Sequence, residues 1–186
     1  MTDEIAPPSI DVPDGWRLVS EEVTAPFDVR VVRIEAHTQI YEDVGLRERL
    51  EAATGVDRGT TWRFVFASRL RISPATSPST ALTRLVKDRA TSKFVEVLEE
   101  RGFSGVDRAD THRIDVDHTE VEATRFRAQV RVDGRNRPVE AYFAAWPAGE
   151  EYLLGGGAYP LTVPEPETFD PESAREELFG MLRSIE

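Results

Sequence analysis

The chain has no cysteine. That absence removes disulfides, thiolate zinc sites and thiol nucleophiles together. Histidine is scarce as well, with 3 in 186 residues. His37, His112 and His118 are therefore the whole stock for imidazole acid–base chemistry. No apolar run approaches the roughly 18 residues that a membrane span needs. The opening MTDEIAPPS has neither a basic start nor an apolar stretch, so no secretory signal is read. There is no G-x-S-x-G elbow, and no serine has a histidine close by in sequence. The expectation is a soluble, cytoplasmic protein with no cofactor, leaning away from enzymatic activity.

Lysine is the other shortage. Only Lys87 and Lys93 occur among 23 cationic residues, which leaves 21 arginines. Against them stand 34 acidic residues, for a net charge of -11. The acid is spread along the chain rather than gathered in a tail. Spread acid, rare lysine and no cysteine resemble the proteins of salt-in halophilic archaea. In molar salt the Debye length shrinks to about 3 Å, so dense like charges repel little and keep the surface hydrated. A GC-rich genome would favour arginine over lysine too, and composition does not separate the two causes. The net charge argues against general nucleic-acid binding through a broad basic surface.

The length fits one domain, two at most. Residues 1–14 carry Pro7, Pro8 and Pro13 and read as a flexible lead-in to one domain at 15–186. Strands at 16–23 and 27–41, with TAP (24–26) as the turn, predict an N-terminal hairpin. Residues 43–55 predict a short helix with Asp43 at its start and Gly55 at its end. In 60–72, Trp62, Phe64, Phe66, Leu70 and Ile72 share one strand face, and Arg63, Arg69 and Arg71 point the other way. One face buried and one wet predicts an antiparallel sheet.

A long helix follows near 78–101, with Leu82, Leu85, Ala90, Phe94, Val97 and Leu98 on its apolar side. A strand near 103–117 is an open option. A meander then runs from about 112 to 158, with DGRN (133–136) closing one hairpin as either a two-residue turn or a four-residue loop. Asp170 and Pro171 start a C-terminal helix whose apolar face is Ala174, Leu178, Met181, Leu182 and Ile185. The fold class is therefore α+β: an antiparallel meander sheet with an N-terminal hairpin, a long helix near 78–101 and a C-terminal helix, with the helices on one face of the sheet.

Three constellations are candidates for chemistry. HRIDVDHTEVE (112–122) has metal-like composition, with His112, His118 and Glu120 as weak ligand candidates. On an extended strand the two histidines stand about 20 Å apart, so only a turn near Asp117 would unite them. The simpler reading is a solvated acidic hairpin. The second constellation is arginine. If the strands bearing Arg63, Arg69, Arg71 and Arg125, Arg127, Arg131 are neighbours, six guanidinium groups line one face, where arginine forks suit carboxylate or phosphate. The competing reading is cross-strand pairing with acids, such as Arg127 with Glu140.

Gly155, Gly156 and Gly157 form the third. A phosphate loop needs a helix directly after it, and here the next helix waits until about 171. The glycines instead mark a strand end where backbone approaches backbone, a bulge, or a crossing beneath the final helix. Their cause is a left-handed turn or a tightly packed neighbour, with a ligand on bare backbone as the remaining option.

From about residue 112 onward, the meander ending in EEYLLGGGAYP and then FDPESAREELFGMLRSIE resembles α/β sandwich domains of the PsbP type, in which antiparallel strands lead to a closing C-terminal helix. The resemblance is architectural and covers the last 75 residues or so. It carries no functional motif, and the helix near 78–101 departs from the simplest version of that fold. The composition resembles an uncharacterised haloarchaeal family. Ligand-binding helix-grip domains are the alternative resemblance. The functional expectation is a non-enzymatic domain that binds a protein partner or a second copy of itself. The alternative is a small anionic-ligand-binding or enzymatic domain that uses the arginine face or a helix–sheet pocket.

Overall fold

The computed structural model describes residues 4–29, 32–55, 60–132 and 134–186. Seven strands and three α-helices follow one another along the chain: β1 (Trp16–Val29), β2 (Val32–Asp43), α1 (Val44–Thr54), β3 (Phe64–Ser73), α2 (Thr80–Glu100), β4 (Phe103–Val116), β5 (Thr119–Val132), β6 (Arg135–Ala148), β7 (Glu151–Pro160) and α3 (Pro171–Arg183). All strands join one antiparallel sheet in the order β1-β2-β3-β7-β6-β5-β4. Two meanders thus meet at a β3–β7 seam. The protein is α+β, as the alternating strand pattern predicts, and the optional strand near 103–117 is β4.

The topology explains the long helix. From β3, third in the sheet, the chain must reach β4 at the far edge, four strand spacings or about 19 Å away. A helix of 21 residues spans about 31 Å, so α2 crosses a whole half of one sheet face. Ser79 accepts from Leu82 N–H at 3.1 Å to start it, and Gly102 follows its end at φ 89°.

The helices occupy both faces of the sheet, which corrects the one-face expectation. Under α2 lies a core of Phe66, Phe94, Leu98, Phe126 and Phe143, joined by Leu46 and Leu50 of α1. Under α3 lies a second core of Val65, Ala67, Tyr142, Ala144, Trp146 and Leu153 with Leu178, Met181 and Leu182. The first half of β3 is therefore buried on both sides, and Arg63 itself is only 6% exposed. On α2 the buried positions are Val86, Phe94 and Leu98, whereas Leu85 is 54% exposed. The stripe at 82, 86, 90, 94 and 98 keeps the i, i+4 spacing that Leu85 breaks.

One turn differs from the expectation, and another takes one of its two expected forms. β1 runs straight through TAP, with a register shift between Thr24 and Phe27. An edge strand tolerates a proline at such an irregularity, because its outer N–H has no partner to lose. The connection to β2 lies at 30–31, outside the described residues. At DGRN the register pairs Val132 with Arg135, a two-residue connection in which Gly134 has φ 70° and Asp133 is outside the described residues.

Residues 4–14 have no regular structure, yet they are fastened to the body rather than loose. Ser9 and Glu186 exchange backbone hydrogen bonds at 2.8 and 3.0 Å. Ile5 is 2% exposed, and its carbonyl lies 3.0 Å from His37 Nδ1.

The glycine run is mid-strand in β7, and none of the three residues has a positive φ. Space is the constraint. A methyl group on Gly157 would meet the Phe64 carbonyl and Leu178 Cδ1, the latter at 2.8 Å, and one on Gly156 would meet the Tyr142 carbonyl at 2.6 Å. On Gly155 it would meet only the movable ends of Ile185 and Leu182. Overpacking typically costs about 1–3 kcal/mol. Gly157→Ala and Gly156→Ala should lower stability by that amount in denaturant titration, and Gly155→Ala by distinctly less. Equal losses at all three would contradict backbone crowding as the cause.

Candidate functional site

The six arginines do share one sheet face, the face that α3 covers in part. They do not form one patch, because β7 and β6 separate β3 from β5. Four of them meet carboxylates. Arg63 Nη1 lies 3.1 Å from Glu177 and 3.3 Å from Asp43, and Nη2 donates to the Ala174 carbonyl at 2.9 Å. Arg69 and Arg71 both donate to Glu151, at 3.1 and 2.8 Å. Arg125 forks onto Asp110 at 2.7 and 2.6 Å and reaches Glu140 at 3.2 Å. Arg127 and Arg131 are exposed and stand opposite Glu140 and Asn136. This face is mainly cross-strand pairing, the arrangement in which an arginine fork is already satisfied.

Glu140 is the centre of a partly buried polar network on the same face. It accepts from Tyr159 at 2.8 Å and Tyr142 at 3.4 Å besides Arg125. Burial raises the pKa of both tyrosines, and the Glu140 charge raises them further, so both stay protonated and donate. Hydrogen bonding from Arg125 holds Asp110 below its ordinary range. His112 lies 3.5 Å from Asp110, with its ring edge-on to Tyr142.

His118 occupies the β4–β5 turn, where Asp117 and His118 have φ 45° and 60°, and Glu120 lies 3.5 Å from Arg113. The turn does form at Asp117, but His112 pairs with Ala123 far down the hairpin. Among the described residues no three His, Asp or Glu side chains gather as a metal site.

The opposite face holds a groove. Large rings clamp the C-terminal half of α2: Phe94 lies 5.4 Å from Phe143, 5.6 Å from Phe66 and 5.7 Å from Phe126. Beneath the N-terminal half the sheet offers Thr124, Ala145 and Pro147 around Phe143, and an open-sided groove of about 600 Å³ results. The helix wall is a polar stripe at Thr80, Thr83, Arg84, Lys87, Asp88 and Thr91, which are spaced to share one side of α2. The far wall is Arg108, Thr111 and Glu122.

The groove therefore gathers three cations, Arg84, Lys87 and Arg108, and two carboxylates. None of the five makes an ion pair among the described residues. The sequence reading passed over all three cations. The available signals were the position of Lys87, one of only two lysines, and of Arg84 three residues before it on the same helix.

An antiparallel seven-stranded sheet, with a long helix over one face and a C-terminal helix over the other, makes this an α+β domain with a groove at the helix–sheet margin. The chain belongs to the family described as a domain of unknown function, DUF6517, matched over residues 6–186. No curated protein matches it. Among solved structures it is similar to LpqN of Mycobacterium tuberculosis, described as involved in cell envelope biogenesis, with 12% identity and a TM-score of 0.38, covering 95% of this chain and 83% of that one. Among the described residues no helix is long and apolar enough to cross a membrane.

The arginine pairing predicts a pH signature. Burial raises the Glu151 pKa, but hydrogen bonds from Arg71 and Arg69 outweigh it and leave it below the ordinary 4.5. A depressed carboxylate stabilises the fold fully above its unfolded value and loses that contribution as pH falls through its folded value. The melting-temperature gap between wild type and Glu151→Gln should be full above pH 4.5 and close below it. A gap that persists unchanged into strong acid would contradict the pairing.

Proposed function

We propose that this chain is a binding domain whose ligand is a small anion-bearing molecule held in the α2 groove. The observation that carries the reading is the contrast between the two faces. On the α3 face four arginines are already matched by carboxylates. Around the groove, in a chain of net charge -11, three cations stand without ion-pair partners among the described residues. Unpaired guanidinium and ammonium groups beside a cleft are what an incoming carboxylate or phosphate needs. The volume is in the usual range of small-molecule sites, roughly 300–1,000 Å³.

Two further parts of the reading rest on composition and architecture. The acidity and arginine bias support a cytoplasm of high salt, such as that of a haloarchaeon. The meander closed by a C-terminal helix supports kinship with PsbP-like sandwiches. A second functional reading is favoured by Leu18, Val19 and Val23, each 45% exposed on the edge strand β1. That edge would suit a protein partner or a second copy, and the oligomeric state in solution decides it.

Calorimetric titration with inorganic phosphate tests the groove. Arg84→Ala, Lys87→Ala and Arg108→Ala together should weaken binding at least tenfold, about 1.4 kcal/mol, with little change in melting temperature, since no ion pair is lost. Binding that survives the triple substitution would overturn the reading. Titration in both dilute and molar potassium chloride shows how far the attraction is screened.

A further inference from the structure

The groove holds charges of both signs that do not meet. Arg84 and Asp88 are one helical turn apart, in the less favourable order for an i, i+4 pair. Glu122 lies on the opposite wall. Neither carboxylate is neutralised by a cation of the groove. An anion alone would be repelled by these two groups, so they require a second feature of the ligand.

Thr124 adds a polar group to the groove floor. It belongs to β5, lines the groove, and is only 9% exposed. Its hydroxyl makes no hydrogen bond among the described residues. The groove therefore offers a cationic end, two acceptor carboxylates and a hydroxyl that opens onto it.

We infer that the ligand is a polyhydroxylated phosphate, of the class of the sugar phosphates. The inference rests on the anion reading above. The phosphate is held by Arg84, Lys87 and Arg108. Ring hydroxyls donate to Asp88 and Glu122, and one bonds to Thr124. A nucleotide base fits less well, because stacking needs an aromatic face and Phe143 is 3% exposed. An amino-acid zwitterion would use one carboxylate and leave the other and Thr124 unmatched.

The test is calorimetric titration of the full chain with inorganic phosphate, hexose and pentose phosphates, and the free sugars. At least one sugar phosphate should bind about tenfold or more tighter than phosphate, because sites built to hydrogen-bond hydroxyls reject analogues that lack them. Asp88→Asn with Glu122→Gln should remove that advantage without weakening phosphate binding. Both residues are exposed and make no ion pair among the described residues, so an unchanged melting temperature confirms that the fold survives. If every sugar phosphate binds no tighter than phosphate, the polyol assignment is overturned and the anion reading stands. If neither phosphate nor any sugar phosphate binds, both are overturned.

Discussion

One buried guanidinium holds the α3 side of the molecule together. Arg63 precedes β3 and is 6% exposed. It is ion-paired to Asp43 at the end of β2 and to Glu177 on α3, it donates to the Ala174 carbonyl, and it lies 4.9 Å over the Trp16 ring of β1. Asp43 also caps α1 through Leu46 N–H, and Trp16 Nε1 donates to Glu177. A charge taken out of water is tolerated only when paired and hydrogen-bonded, and stripping one partner from a buried pair costs about 3–5 kcal/mol. The start of α1, the first strand and the position of α3 thus depend on one another through this side chain. It specifies where α3 sits as much as how firmly.

That placement sets the rest. α3 crosses β7 close enough that Gly155 and Gly157 have its side chains where a methyl group would go. With one face given over to α3 and its paired arginines, the long crossover helix must take the other. Four phenylalanines fix only its C-terminal half. Along its N-terminal half Leu82 and Val86 carry the core on, but the sheet beside them offers small side chains, and the groove opens against the polar side of the helix. The same division separates the charges. Carboxylates neutralise arginine on the α3 face, while the groove keeps its cations and its acids apart.

Much of this was legible in sequence, and the failures share a cause. Strand alternation located the sheet, and Asp43, Gly55 and Asp170 mark helix ends through local chemistry that any window of the chain contains. Period-two reading put Arg63 on a wet face with Arg69 and Arg71. Their shared side is correct, but only Arg63 is covered, by a helix more than a hundred residues away in sequence. Val65 and Ala67 were the small apolar hints of that cover. Leu85 looked like core because the apolar stripe was drawn before the sheet under it was known. The groove was invisible for the same reason. Its walls come from a helix and three strands, and no local pattern says that Lys87 and Arg108 face one space.

The central claim is that the α2 groove, and not the arginine-rich α3 face, is where an anion binds. Amide chemical-shift mapping during a phosphate titration tests it most directly. The account predicts shifts that cluster at residues 79–91 of the α2 region, 108–111 of β4 and 122–124 of β5. Shifts centred instead on Arg69, Arg71 and Glu151, or on Arg125 and Asp110, would contradict it.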